Sequence, residues 1–186
     1  MKKLTMILSL VVLFAFTASA YAQTKGETQF GLGGSLFTSE KAKASGSKSA
    51  TEITPAATVR YMFMDKIGID GALGIKKGNK YSTIGKDLGL NLGLGGRYYY
   101  YAKDKMRVNG GLDLGFGLGK GAKRADDKGK MVAPMDLKIT AAELEYWPME
   151  GGAVTGDLFY AMNGLNLGDA GTTGFGIGLG IKIRIK

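Results

Sequence analysis

Apolar and polar residues alternate with a period of two along most of the chain. Between residues 88 and 97, leucine occupies every second position from Leu88 to Leu94, and small or polar residues occupy the positions between. Successive side chains of a β-strand point to opposite faces, so this pattern predicts a strand with one apolar and one polar face. Helical periodicity is hard to find anywhere in the sequence.

The alternation recurs in eight segments that are separated by turn signals. The eight predicted strands centre on Phe30–Leu36, Ile53–Phe63, Ile67–Ile75, Leu88–Tyr98, Val108–Leu118, Leu137–Tyr146, Leu158–Met162 and Phe175–Ile185. In the sixth segment the apolar parity changes, which predicts a one-residue bulge near Ala141 and Ala142. This bulge would keep Glu143 and Glu145 off the apolar face.

The connections between these strands alternate in length. Long or medium connections are predicted around Ser39–Ser49, Lys77–Ser82, Lys120–Lys130 and Gly168–Thr172, and tight turns around Met64–Lys66, Ala102–Asp104 and Pro148–Gly151. Long loops at one end and tight turns at the other are typical of bacterial outer-membrane barrels. An even strand number would place both chain ends on the tight-turn side.

The polar face of the strands is mostly glycine with isolated charges, which suits the crowded interior of a closed barrel better than a water-exposed sandwich face. The sequence therefore predicts an all-β fold, an eight-stranded antiparallel up-and-down transmembrane β-barrel. Lone buried charges are unfavourable, so the inward charges are expected to form paired networks, with Arg107 opposite Tyr99 and Asp113 paired to Lys138. The predicted lumen charges are Glu52, Arg60, Asp70, Asp87, Arg97, Arg107, Asp113, Asp136, Lys138, Asp157, Lys182 and Arg184.

Aromatic residues collect at the tight-turn end of the second, fourth and sixth strands. Amphipathic rings settle at the headgroup level of a membrane, so they are predicted to form a periplasmic girdle. Tyr99 and Tyr101 are expected to line the periplasmic mouth instead. The predicted girdle comprises Tyr61, Phe63, Tyr98, Tyr100, Tyr146 and Trp147.

The first residues are typical of a signal peptide. Lys2 and Lys3 precede an apolar stretch from Leu4 to Phe16, and Ala20-Tyr21-Ala22 supplies a small-x-small cleavage site. This division predicts a cleaved signal peptide at residues 1–22 and a barrel domain at residues 23–186. Loss of the two lysines lowers the net charge from +9 to +7. Export argues against a nucleic-acid partner despite this basic balance.

Composition excludes several chemistries. The chain contains neither cysteine nor histidine, so it has no disulfide, no thiolate metal site and no imidazole base. No catalytic, cofactor-binding or metal site is predicted, and enzyme activity is not expected. The long loops are instead basic, and they are expected to attract the phosphates and carboxylates of lipopolysaccharide. Their basic residues are Lys41, Lys43, Lys48, Lys77, Lys80, Lys123, Arg124, Lys128 and Lys130.

The sequence resembles the small eight-stranded outer-membrane barrels, the family of the OmpA-type barrel half and the OmpX-type proteins. The resemblance rests on the number of predicted strands, on the alternation of long loops and tight turns, and on strands that are rich in glycine and aromatic residues. The resemblance implies an outer-membrane location with periplasmic termini and extracellular loops, insertion by the barrel-assembly machinery, and a monomer. It favours a structural or surface-interaction role in the Gram-negative envelope. A small porin-like channel and a secreted soluble binding barrel are the alternatives.

Overall fold

The computed structural model describes residues 25–40, 50–77, 88–119, 123–125, 128–168 and 171–185. The predicted signal peptide lies outside the described residues. So do Lys41, Lys43, Lys48, Lys80 and Asp87, together with the side chains of Glu52, Lys77 and Arg124.

Eight long antiparallel strands close into a barrel, as the sequence predicts. Around the barrel the order is β1, β10, β9, β8, β5, β4, β3, β2, so the first and last strands pair and no edge is left open. A two-stranded hairpin, β6 with β7, lies in the connection between β5 and β8. The strands are β1 Thr28–Glu40, β2 Ala50–Met64, β3 Ile67–Lys77, β4 Leu88–Lys103, β5 Met106–Leu118, β6 Arg124–Ala125, β7 Met131–Val132, β8 Met135–Met149, β9 Gly152–Asn163 and β10 Thr172–Ile185.

The two ends of the barrel differ in how the strands are connected. At one end, the turn end, two-residue turns join β2 to β3, β4 to β5 and β8 to β9 at 65–66, 104–105 and 150–151. Asp104 has a positive φ of 50°, a conformation that aspartate tolerates better than most residues. The other end, the loop end, carries the longer connections. The second of these, predicted around Lys77–Ser82, falls mainly on residues 78–87, which lie outside the described residues.

The barrel is apolar outside and polar inside. Leu32 and Phe175 on the outer surface keep 63% and 74% of their exposed area, whereas Gln29, Asn109 and Glu145 in the interior are almost completely buried. A continuous belt of exposed leucine, isoleucine and phenylalanine is the reverse of a water-soluble barrel and matches a surface that contacts hydrocarbon. Among the described residues, no helix is long and apolar enough to cross a membrane.

Glycines on the inner face make room for long side chains on the neighbouring strand. At several positions the glycine is the direct cross-strand partner of the large residue, and a Cβ added there would overlap that residue's side chain. Several large inward side chains therefore fit in the lumen because they lie against a strand position that has no side chain. These pairs are Gly95 with Asp113, Gly111 with Arg97, Gly178 with Asp157, and Gly176 with Phe159.

Bulges near the turn end adjust which residues face inward. The predicted bulge in β8 is confirmed, since its register against β9 shifts between Thr140 and Ala142. A second bulge in β4 shifts the register against β5 between Tyr99 and Tyr101. As a result Tyr99 lies opposite Asn109. The expected pairing of Tyr99 with Arg107 is wrong because the turn between β4 and β5 lies at 104–105, which places Arg107 opposite Ala102.

Candidate functional site in the barrel lumen

Arg60 of β2 is the centre of a buried charge network that crosses the lumen. Its guanidinium forms a bidentate pair with Asp70 of β3, in which Nε donates to Oδ1 at 2.6 Å and Nη2 donates to Oδ2 at 2.8 Å. The remaining N–H groups donate to Glu143 at 2.9 Å, to Glu145 at 2.7 Å and to the hydroxyl of Tyr99. All five donors of the guanidinium are therefore used, and they tie β2 to β3, β4 and β8.

Glu145 of β8 is the corresponding acceptor. Its Oε1 accepts hydrogen bonds from Arg60, from the Tyr99 hydroxyl at 2.8 Å and from Lys182 of β10 at 2.7 Å. Asn109 donates to the same oxygen at 3.3 Å. Lys182 also donates to Glu143, which brings β10 into the network. A fully buried carboxylate is tolerated here because two cations, a hydroxyl group and an amide group donate to it.

Arg97 of β4 extends the network toward the loop end. Its Nη2 donates to Asp113 at 2.6 Å, and its Nε lies 3.2 Å from Asp70. Asp113 is the cross-strand partner of Lys138, as expected, but the two do not form the predicted ion pair. Lys138 donates instead to Asp157 of β9 at 2.6 Å. That prediction is wrong because both residues reach partners on their other neighbouring strand.

We call Arg60, Asp70, Arg97, Glu143, Glu145 and Lys182 the charge network. Its three cations and three carboxylates balance, and none of these side chains is more than 9% exposed. Removing one member of such a set leaves an uncompensated buried charge, which is strongly unfavourable. The network therefore fills the lumen as a polar core and fixes the relative positions of five strands.

A second cluster, the turn-end clamp, lies below the network and consists of Glu27, Arg107, Trp147 and Arg184. The Arg107 and Arg184 guanidinium carbons lie 4.9 and 4.4 Å from the Trp147 ring centre, within cation–π range. Glu27 Oε1 lies 3.2 Å from Arg107 Nη1 and 3.0 Å from Arg184 Nε. The indole N–H donates to Glu145 at 3.2 Å, which joins the clamp to the charge network.

The clamp corrects the predicted girdle. Trp147 is only 5% exposed and points into the barrel, because its neighbour Tyr146 takes the outward position on β8. Tyr61, Tyr98 and Tyr146 do lie on the outer surface near the turn end, and Phe63 and Tyr100 are partly exposed. Tyr101 was expected to line the mouth, but the β4 bulge turns it outward.

On the loop-end side of the charge network the lumen contains a cavity of about 230 Å³, which we call the vestibule. Arg60, Arg97 and Lys182 line it at the network side, and the wall toward the loop end includes Phe37 and Asn163. Asp136, 6% exposed, also lines it and accepts a hydrogen bond from the Gly164 N–H at 2.8 Å. The lumen is therefore filled by side chains in its turn-end half and hollow in its loop-end half.

The predicted lumen charges whose side chains the structure describes lie inside the barrel or at its turn-end mouth. The sequence-based set of lumen charges omits several interior polar residues, although the predicted β8 bulge places Glu143 and Glu145 off the apolar face and Tyr99 is expected at the mouth. Gln29 and Asn109 share the inward parity of their strands, which could have identified them as well. The omitted residues are Glu27, Gln29, Tyr99, Asn109, Glu143 and Glu145.

The predicted basic residues Lys123, Lys128 and Lys130 are exposed at the loop end.

Comparisons with known proteins agree with this architecture. Residues 8–186 match the family model described as outer membrane protein beta-barrel domain. A comparison with curated proteins finds no match.

Among solved structures, the N-terminal β-barrel domain of OprF from Pseudomonas aeruginosa superimposes with a TM-score of 0.58 at 14% identity, covering 88% of this chain and 100% of that chain. Neisserial surface protein A gives 0.57 at 12% identity, covering 87% and 99%. Ail, the attachment invasion locus protein of Yersinia pestis, gives 0.55 at 17% identity, covering 87% and 100%. At these identities the likeness shows the fold alone. With an apolar exterior, a closed eight-stranded barrel and a family match over nearly its whole length, the chain belongs to the outer-membrane β-barrel family.

Proposed function

We propose that the protein is a non-conducting barrel with a structural or surface-interaction role in the outer membrane, and that it has no catalytic activity. One observation carries this proposal. The charge network connects side chains from five strands across the lumen, and the turn-end clamp lies below it. An eight-stranded barrel has an interior just wide enough for side chains to fill, so we expect two such layers to block water and ions in the described part of the lumen.

Two structural neighbours carry names consistent with a surface role, an attachment invasion locus protein and a surface protein. They support the proposal only by analogy, because similar barrels host different functions.

We expect no discrete conductance steps when the purified protein is added to planar lipid bilayers. Ions cannot cross the charge network without displacing paired buried charges, which is strongly unfavourable. The measurement is single-channel recording at several salt concentrations, with a larger porin in the same bilayers to establish sensitivity.

A small channel is the second candidate, and the vestibule is the observation that favours it. In that case recordings would show reproducible, salt-dependent steps, and neutralising Arg97 or Asp113 would change their size. Such steps would overturn the closed-barrel proposal.

We also propose that the loop end faces the cell exterior and the turn end faces the periplasm. The connection at residues 41–49 contains three lysines and no acidic residue, and Lys123, Lys128 and Lys130 are exposed around the β6–β7 hairpin. Basic groups at this level would lie among the phosphates of lipopolysaccharide. The barrel-assembly machinery would insert the chain, and the closed β1–β10 seam suits a monomer.

Because the chain has no native cysteine, single introduced cysteines can report this orientation. We expect a membrane-impermeant maleimide to label Lys128→Cys in intact cells and to leave Lys103→Cys at the turn end unlabelled until the outer membrane is permeabilised. Labelling of Lys103→Cys alone in intact cells would reverse the proposed orientation. Equal labelling of both variants after detergent extraction is the control for reactivity.

A further inference from the structure

The vestibule has two unlike walls. Strands β1, β2, β3 and β10 contribute mostly glycine, alanine and small hydroxyl residues, which leave the space open. The opposite wall presents the Lys138–Asp157 ion pair, whose side chains are 27% and 15% exposed. The Lys138 ammonium also lies 4.1 Å from the centre of the Phe159 ring, so it is held in place from two sides.

This wall has hydrogen-bonding capacity of both kinds. Lys138 carries three donors and uses one on Asp157, and each carboxylate of Asp113 and Asp157 can accept more than the single bond it receives from Arg97 or Lys138. Within the described part of the chain, the buried Oδ1 of Asn91 has no hydrogen-bond partner, and Asn91 lines the same cavity. A solute in the vestibule would therefore find both donors and acceptors.

The charges of the wall discriminate against simple ions. The described residues that line the vestibule include four cationic and five acidic side chains, arranged largely as ion pairs. An anion that approaches Lys138 also approaches Asp157, and a cation that approaches Asp157 meets Lys138. A solute that carries both signs complements such a pair at both ends.

We propose that the vestibule binds a small dipolar solute, one that carries an ammonium and a carboxylate group on a short apolar chain. The volume of about 230 Å³ is below the ~300–1,000 Å³ of typical drug-sized sites, so the solute is small. The apolar chain would lie against the glycine and alanine wall. This inference concerns binding and not conductance, so it stands or falls separately from the proposed function.

The test is isothermal titration calorimetry, which measures the affinity of the full folded protein in detergent micelles for three probes of equal chain length. These are 4-aminobutyrate, butylammonium and butyrate. We expect 4-aminobutyrate to bind at least about tenfold more tightly than either singly charged probe, since it alone gains both charge-assisted interactions. Equal or tighter binding of butylammonium, or no saturable binding of 4-aminobutyrate, would overturn the inference.

Variants assign the binding to the vestibule. Lys138→Met/Asp157→Asn removes the ion pair without leaving a lone charge, and we expect it to abolish the preference for 4-aminobutyrate. The matched control is Lys103→Met/Asp104→Asn, which removes an equal and opposite pair of charges at the turn end and should retain the preference. If the first variant does not fold, Ala56→Leu fills the small-residue wall without changing any charge and should abolish binding. The proposal is contradicted if Lys138→Met/Asp157→Asn retains the preference for 4-aminobutyrate, or if Ala56→Leu binds 4-aminobutyrate as tightly as the unchanged protein.

Discussion

Replacing Arg60 with leucine should lower the free energy of unfolding by about 3–5 kcal/mol, the usual effect of breaking a buried ion pair by removing one partner. Asp70, Glu143 and Glu145 would lose their shared cation, and only Arg97 and Lys182 would remain to balance them. The measurement is urea unfolding in detergent micelles. It can be followed by the emission of Trp147, the single tryptophan, and by heat-dependent gel mobility.

Two further variants separate charge from geometry. Arg60→Lys keeps the positive charge but cannot form the bidentate pair with Asp70 or supply five donors, so its loss of stability should be intermediate. Lys103→Leu removes a cation from the exposed end of β4 and should change stability by less than about 0.5 kcal/mol. If Arg60→Leu is no more destabilising than Lys103→Leu, the charge network does not hold the strands together.

Gly111→Ala should destabilise the barrel by about 1–3 kcal/mol, toward the upper end of the range for overpacking. A Cβ at this position would overlap the backbone oxygen of Gly96 and the guanidinium of Arg97. The backbone oxygen belongs to the neighbouring strand and cannot move aside, and Arg97 is fixed by Asp70 and Asp113. The same urea titration measures this change.

Gly71→Ala is the matched control, because it adds a methyl group to a glycine on the outer surface of β3. Nothing lies within 4 Å of a Cβ built at Gly71, so we expect a neutral or slightly stabilising effect. Equal destabilisation by both substitutions would mean that strand propensity, and not the space reserved for Arg97, accounts for the loss at Gly111.

Parity along the strands predicted much of the interior correctly. The assignments were wrong where a strand contains an extra residue, and also where two adjacent residues of one strand were both assigned to the outer face. Tyr146 and Trp147 were both assigned to the girdle, yet adjacent residues of a strand face opposite sides, and the indole points inward to Glu145. The bulge in β4 similarly moved Tyr101 to the outer surface. A one-residue shift reverses the facing of every residue beyond it.

The sequence by itself determined the architecture of this protein. A period-two pattern with an apolar face and a glycine-rich polar face has few solutions when it repeats in eight segments, and a closed membrane barrel satisfies both faces and all backbone hydrogen bonds. It also indicated many of the charges that lie inside, because parity along a strand is a local property.

Only the tertiary structure decided which charge meets which. The cross-strand register placed Asp113 beside Lys138, yet Asp113 bonds to Arg97 and Lys138 bonds to Asp157. These choices depend on the strand bulges, on side-chain length and on strands that face each other across the lumen, as Arg60 and Glu145 do. No local pattern encodes distances between strands that are not neighbours, so the turn end filled by side chains and the hollow vestibule emerge only when the barrel closes.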